Sequence, residues 1–166
     1  MLKIENLYHG TNKKFNEFND EFLGHASGTG YIKGHWFAHK GRNPEKAAFQ
    51  YAKKLGQDNY VYLVSIHVKK ESVVSSVDLI NNKLNESQIE FLKKKELKLN
   101  KNMTFQELIS DNESTIRDFL IGFDILVICN WQPDNGLCEE YISVLTTKNS
   151  FCNVKIDPNL NPKCNF

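Results

Sequence analysis

Residues able to do chemistry are few in this chain and lie far apart. Near the start, Leu7-Tyr8-His9-Gly10-Thr11 leads two apolar or aromatic residues into a histidine, a glycine and a threonine. That order suits the end of a strand, where a glycine lets a ligand approach the main chain with no Cβ in the way. Trp36-Phe37 and, beyond them, Tyr51 offer flat aromatic faces of the kind that hold a planar ring. Far along the chain stands Glu140, followed by Tyr141. Each has an ordinary alternative. A histidine beside a glycine is usually structural, Trp and Tyr usually pack, and a glutamate on an edge strand usually keeps that edge soluble. A joint role requires the fold to bring them together.

The elements that would position these residues can be read in order. Ile4 to Tyr8 reads as a first strand. Phe15, Phe18 and Phe22, spaced three and four apart, form a short helix or a loop pinned to the core by aromatics. Gly24 to Gly30 is glycine-rich and apolar-poor, so it is expected as a loop, with no phosphate-binding fingerprint. Gly34 to Ala38 reads as a second strand. A helix follows: Asn43 as N-cap, Pro44 in the first turn, Ala47, Ala48, Tyr51 and Leu55 at helical spacing, and Gly56 as the stop. Tyr60 to Val68 is the strongest strand, rich in β-branched and aromatic residues. Val73 to Leu79 is expected as another.

The middle of the chain changes character. Helical segments are expected at Glu86–Lys93, Phe105–Ile109 and Thr115–Ile121. Lys93-Lys94-Lys95, with Lys98 and Lys101, is the only basic cluster and reads as a solvated helix face. Strands then return at Asp124–Cys129, Glu139–Leu145 and Val154–Ile156, with a turn at Gln132–Gly136. Strands at both ends with helices between them indicate an α+β fold, here expected as one domain over residues 1–166.

Composition narrows the class without naming it. At 40% hydrophobic and 25% charged, the 166 residues can bury a real core and do not suggest disorder. A net charge of +1 supplies no global field for nucleic acid or membrane. No apolar run has the length of a signal peptide core or a membrane span. The expected location is therefore cytoplasmic, or a target cell reached through an export signal that is not legible. Cys129, Cys138, Cys152 and Cys164 form no C-x-x-C pair and no zinc-finger spacing, so they are expected as thiols and no metal is expected. His25, His35, His39 and His67 have no supporting pattern and are expected as structural or loop residues.

Taken together, Tyr8-His9-Gly10-Thr11, Gly34-His35-Trp36-Phe37-Ala38, Ala48-Phe49-Gln50-Tyr51-Ala52 and Glu140-Tyr141-Ile142 resemble the ADP-ribosyltransferases of the diphtheria-toxin and poly-ADP-ribose-polymerase type. Gly122-Phe123-Asp124-Ile125-Leu126-Val127 looks like that family's penultimate strand. The resemblance touches both ends of the chain and leaves residues 70–120 without a motif.

It implies a split β-sheet core with a few flanking helices, and NAD as the substrate. NAD would be cleaved at its nicotinamide–ribose bond through an oxocarbenium-like transition state, with ADP-ribose passed to a macromolecular acceptor, protein or nucleic acid. By the same resemblance, Glu140 stabilises the developing positive charge and orients the sugar. His9 hydrogen-bonds the adenosine ribose, and Gly10 and Thr11 hold the cofactor. Trp36 and Tyr51 sandwich the nicotinamide, with Phe37 beside them. The Gly24–Gly30 stretch would be a lid. A toxin of a toxin–antitoxin or phage-related system, or an effector, is the context implied, with an antitoxin or inhibitor protein as a further partner.

Two departures from the family pattern matter. Trp36 stands where the family's tyrosine is usual, so stacking is kept and the phenolic hydroxyl is not. Cys138 stands where the arginine-modifying branch has its first acid, and Glu139, one residue from Glu140, must point to the opposite strand face. Arginine is thereby the less expected acceptor. Rival readings are an NAD glycohydrolase, an RNA 2′-phosphotransferase (for which Arg42 and Arg117 are few arginines), a non-catalytic NAD-binding module, and a nucleic-acid binder using Lys93–Lys101.

Overall fold

The computed structural model describes residues 1–22, 34–81, 123–129, 135–148 and 152–157, with isolated positions at 86, 90, 94, 100, 102–104 and 107. Among these, the fold is α+β: two helices and one seven-stranded sheet. The strands are β1 (Leu2–Thr11), β2 (His35–His39), β3 (Tyr60–Val68), β4 (Val73–Ser75), β5 (Ile125–Cys129), β6 (Glu140–Val144) and β7 (Asn153–Ile156). The helices are α1 (Pro44–Leu55) and α2 (Ser76–Asn81). Strand order is β4-β5-β6-β2-β1-β3-β7, antiparallel except for the parallel pair β4–β5. The glycine-rich 24–30 stretch, the 115–121 segment and most of the lysine cluster lie outside the described residues. Positions 86, 90, 94 and 107 are helical, and Lys94 pairs with Glu90 one turn away.

β1 is longer than its apolar pattern suggests and contains a bulge. Ile4 pairs with Ile66 and Leu7 with Val64, so three steps on β1 match two on β3. Asn6 absorbs the extra residue at φ 57°, a left-handed conformation that asparagine tolerates better than most residues. Without the bulge, strand alternation would put Ile4 and Leu7 on opposite faces. With it, both join the main core and His9 falls on that same face.

The sheet has two unlike faces. The larger core holds Leu7, Phe37, Tyr62, Val64, Ile66, Val68, Ile125, Ile142 and Val144, with Phe15 and Phe18 packed against it. The other face receives α1: Ala38, Ala47, Ala48, Val61, Leu137 and Cys138, flanked by Tyr8 and Tyr141. The α1 helix starts as its sequence indicates, with the Asn43 side chain accepting from the Lys46 N–H at 3.0 Å. Its alanines let it sit directly over β1. A Cβ on Gly10 would overlap the Ala48 carbonyl oxygen and lie 2.6 Å from that carbonyl carbon. Only glycine permits this approach.

One expected element is corrected, and one ordinary alternative is set aside. Val73–Leu79 is not one strand: it pairs only through Ser75 and then turns into α2. The Ser75 hydroxyl accepts from the Asp78 N–H at 3.0 Å, an N-cap that overrides the apolar pattern. Glu140 is not on an edge either, because β6 lies between β5 and β2.

Candidate functional site

The centre of the sheet is where its two halves are joined most loosely. β1 pairs with β3 from Leu2↔Val68 to Thr11↔Tyr60, and β2 with β6 from His35↔Val144 to His39↔Glu140. Between β1 and β2 the only registered pair is Tyr8↔Ala38. Beside that pair a side chain does what the backbone ladder does not. The His9 Nδ1–H donates to the Trp36 carbonyl at 2.8 Å.

Because a carbonyl can only accept, Nδ1 carries the proton and Nε2 keeps a lone pair in the neutral ring. Phe15, Phe18 and Phe37 surround the imidazole at centroid distances of 5.9, 5.0 and 5.4 Å. Burial disfavours the imidazolium and lowers the His9 pKa to about 4, outweighing the pull of the Trp36 carbonyl; His35 adds to the lowering. His9 is therefore a neutral hydrogen-bond acceptor at physiological pH.

Glu140 opens β6, on the same face as Phe37 and His9 by strand alternation. Its Oε1 takes a 2.6 Å hydrogen bond from His39 Nδ1, and Lys40 Nζ stands 3.4 Å from Oε2. The His39 hydrogen bond lowers the Glu140 pKa most; burial opposes it, and the Lys40 ammonium adds to it. Glu140 is thus held ionised although its side chain is only 17% exposed. From the other side Cys129 Sγ lies 4.0 Å from Oε2. Burial and the Glu140 charge push that thiol up, the opposite of an activated nucleophile.

The backbone around this pair is clamped. Cys138, fully buried, places Sγ 2.9 Å from the carbonyls of both His39 and Glu140. The Glu139 N–H donates to the Lys40 carbonyl at 2.9 Å, and the Asn43 N–H to the Leu137 carbonyl at 2.8 Å. Gly41, at φ 135°, lets the chain pass this close to Cys138 and Glu139. The Glu139 side chain is exposed.

A polar latch fixes the segment that bears Phe15 and Phe18. A short 3-10 turn, Asp20–Phe22, presents the Asp20 carboxylate to Thr147 N–H at 2.9 Å, Thr147 Oγ1 at 2.7 Å, Thr146 Oγ1 at 3.0 Å and His35 Nε2 at 3.2 Å. Burial alone would raise its pKa, but the bonds from Thr147, Thr146 and His35 together hold it below the usual carboxylate range. The Phe15 N–H donates to the Tyr62 hydroxyl at 2.9 Å, and their rings stack at 4.6 Å. Of the three phenylalanines, Phe22 remains 64% exposed.

The expected site residues divide accordingly. His9 and Glu140 share one face, on the two strands that flank β2. Trp36 alternates with Phe37 and lies on the α1 side, the side on which Tyr51 is carried. Phe37 is corrected from a ligand contact to a core residue: it is fully buried beneath His9 and Phe18. The Thr11 hydroxyl accepts from the Lys13 N–H at 3.2 Å and serves the turn after β1. Gly10 turns its Cα toward α1. His39 was expected to be merely structural, yet it is the closest partner of Glu140.

Among the described residues no group of three or more His, Cys, Asp or Glu side chains is arranged to hold a metal ion. No helix there is long and apolar enough to cross a membrane. No protein-family model, curated protein or solved structure matches the chain.

Proposed function

We propose that this protein is a mono-ADP-ribosyltransferase that cleaves NAD at the nicotinamide–ribose bond and passes ADP-ribose to a macromolecular acceptor. The observation that carries the reading is that His9 and Glu140, distant in sequence, lie on one sheet face, on the two strands that flank β2, beside the loosely joined β1 and β2. The fold that the resemblance implies is a split sheet. Here the single pair Tyr8↔Ala38 between the two halves fits such a split.

The two residues also have the protonation states this chemistry needs. An oxocarbenium-like transition state gains most from a fixed negative charge beneath the sugar. Glu140 is ionised and aimed by His39. Neutral His9 keeps a lone pair on Nε2, the atom that would accept from a ribose hydroxyl. Trp36 and Tyr51, carried on the α1 side, are not part of this constellation.

The test is to incubate the protein with adenine-labelled NAD and a cell lysate, then digest separately with protease and nuclease. Nicotinamide release with label on a macromolecule supports transfer, and the digestion that frees the label gives the acceptor class. Label transfer unaffected by Glu140→Gln would refute the assignment of that residue.

A further inference from the structure

His39 and Glu140 together form a unit with a defined proton arrangement. A carboxylate held ionised only accepts, so the 2.6 Å contact to Oε1 puts the His39 proton on Nδ1. The lone pair of the neutral ring is then at Nε2, which makes no hydrogen bond among the described residues. The side chain is 14% exposed, so the ring is held yet reachable. The charged and titratable groups facing the pair are Lys40 from the end of β2, Cys129 from β5 and, acting on Cys129, Asp78 from α2.

Given the assignment of Glu140 above, on which this inference rests, the geometry points to His39 as the base that deprotonates an oxygen nucleophile, water or a hydroxyl group, attacking C1′ of the NAD ribose. The bond from C1′ to the nicotinamide nitrogen breaks, and its electron pair leaves with nicotinamide. The new bond forms between C1′ and the nucleophile's oxygen. That oxygen's proton passes to Nε2 and from the imidazolium to solvent. Glu140 Oε1 steadies the imidazolium as it forms, while Oε2 stays directed to the sugar, a division of labour like that of a carboxylate–histidine pair in acyl transfer.

The surroundings select against cationic nucleophiles. Lys40, 66% exposed, places a positive charge beside Oε2 where a guanidinium or ammonium would have to enter. Among the described residues the two positions directly opposite Glu140 are Cys129 and His39, neither of them a carboxylate.

The experiment uses the whole chain with NAD in water, with and without methanol, from pH 5 to 8, and follows nicotinamide, ADP-ribose and methyl ADP-riboside. Wild type is expected to lose kcat toward acid pH. His39→Asn keeps an amide N–H toward Glu140 but has no lone-pair base. Its kcat should fall by roughly 10²- to 10³-fold, with KM for NAD within about two-fold and the acidic limb gone.

ADP-ribose as sole product identifies water as the nucleophile, and methyl ADP-riboside shows that a hydroxyl is accepted; either supports the assignment. A His39→Asn enzyme with unchanged kcat and the same acidic limb overturns it, as does a rise in KM alone. An unfolding midpoint matching wild type checks the variant's fold, and His39→Gln serves if it differs. Wild type that releases no nicotinamide at any pH removes this inference together with the NAD reading. Turnover indifferent to His39 removes this one alone.

Discussion

The pH dependence of stability offers a test of His9 that needs no substrate. Its ring is enclosed by Phe15, Phe18 and Phe37 and titrates near 4 in the folded state, against 6.5 for an ordinary histidine. The unfolded chain therefore binds the extra proton first. Because the folded pKa is depressed, the contribution of His9 is fully present above pH 6.5 and is lost as pH falls toward 4. Linkage gives a loss of about 2 kcal/mol between pH 7 and pH 5, rising to about 3 kcal/mol below pH 4. With a urea slope of about 2 kcal/mol/M, the midpoint should move by roughly 1 M. Equilibrium urea unfolding of wild type and His9→Gln at both pH values isolates the contribution. The variant starts less stable at pH 7, having lost the ring's hydrogen bond to Trp36 and its packing, but its loss on going to pH 5 should be about 2 kcal/mol smaller. His35 acts in the same direction in both proteins, since burial lowers its pKa more than the Asp20 bond raises it. Equal losses in wild type and variant would refute the enclosure of a neutral His9.

Two further substitutions test the frame around the site. Gly10→Ala should force α1 off β1, because the new methyl meets the Ala48 carbonyl and the helix backbone cannot yield locally; a cost of about 2–3 kcal/mol and a Tm drop of roughly 5–10 °C are expected. A change within about 1 °C in a thermal melt would contradict the close approach. Asp20→Asn turns one carboxylate oxygen into a donor facing the Thr147 N–H and hydroxyl. It should cost about 1–3 kcal/mol by urea unfolding, and full stability would mean that the latch is not formed.

Local signals were legible where they decide local structure. The β-branched run of β3 and the Asn43-Pro44 start of α1 are complete in themselves, and the structure bears both out. Val73–Leu79 misled because its apolar residues fit a strand, while the Ser75 cap that diverts it depends on one hydroxyl. The bulge at Asn6 leaves no mark in composition, although it decides which face His9 occupies. The family resemblance pointed to His9 and Glu140, and the structure places both on one sheet face. Neither pattern nor resemblance could reveal that His39 stands opposite Glu140 in the β2–β6 register, a tertiary fact. Phe37 misled for the converse reason: beside Trp36 in sequence, it faces the other side of the sheet and lies in the core.

The most direct measurement is nicotinamide release from NAD by the purified protein, beside Glu140→Gln, with NAD binding to both followed by calorimetry. Wild type should release nicotinamide, and Glu140→Gln should do so roughly 10²- to 10³-fold more slowly while binding NAD within a few-fold of wild type. If neither protein consumes NAD and neither binds it, the assignment of this site to NAD chemistry is contradicted.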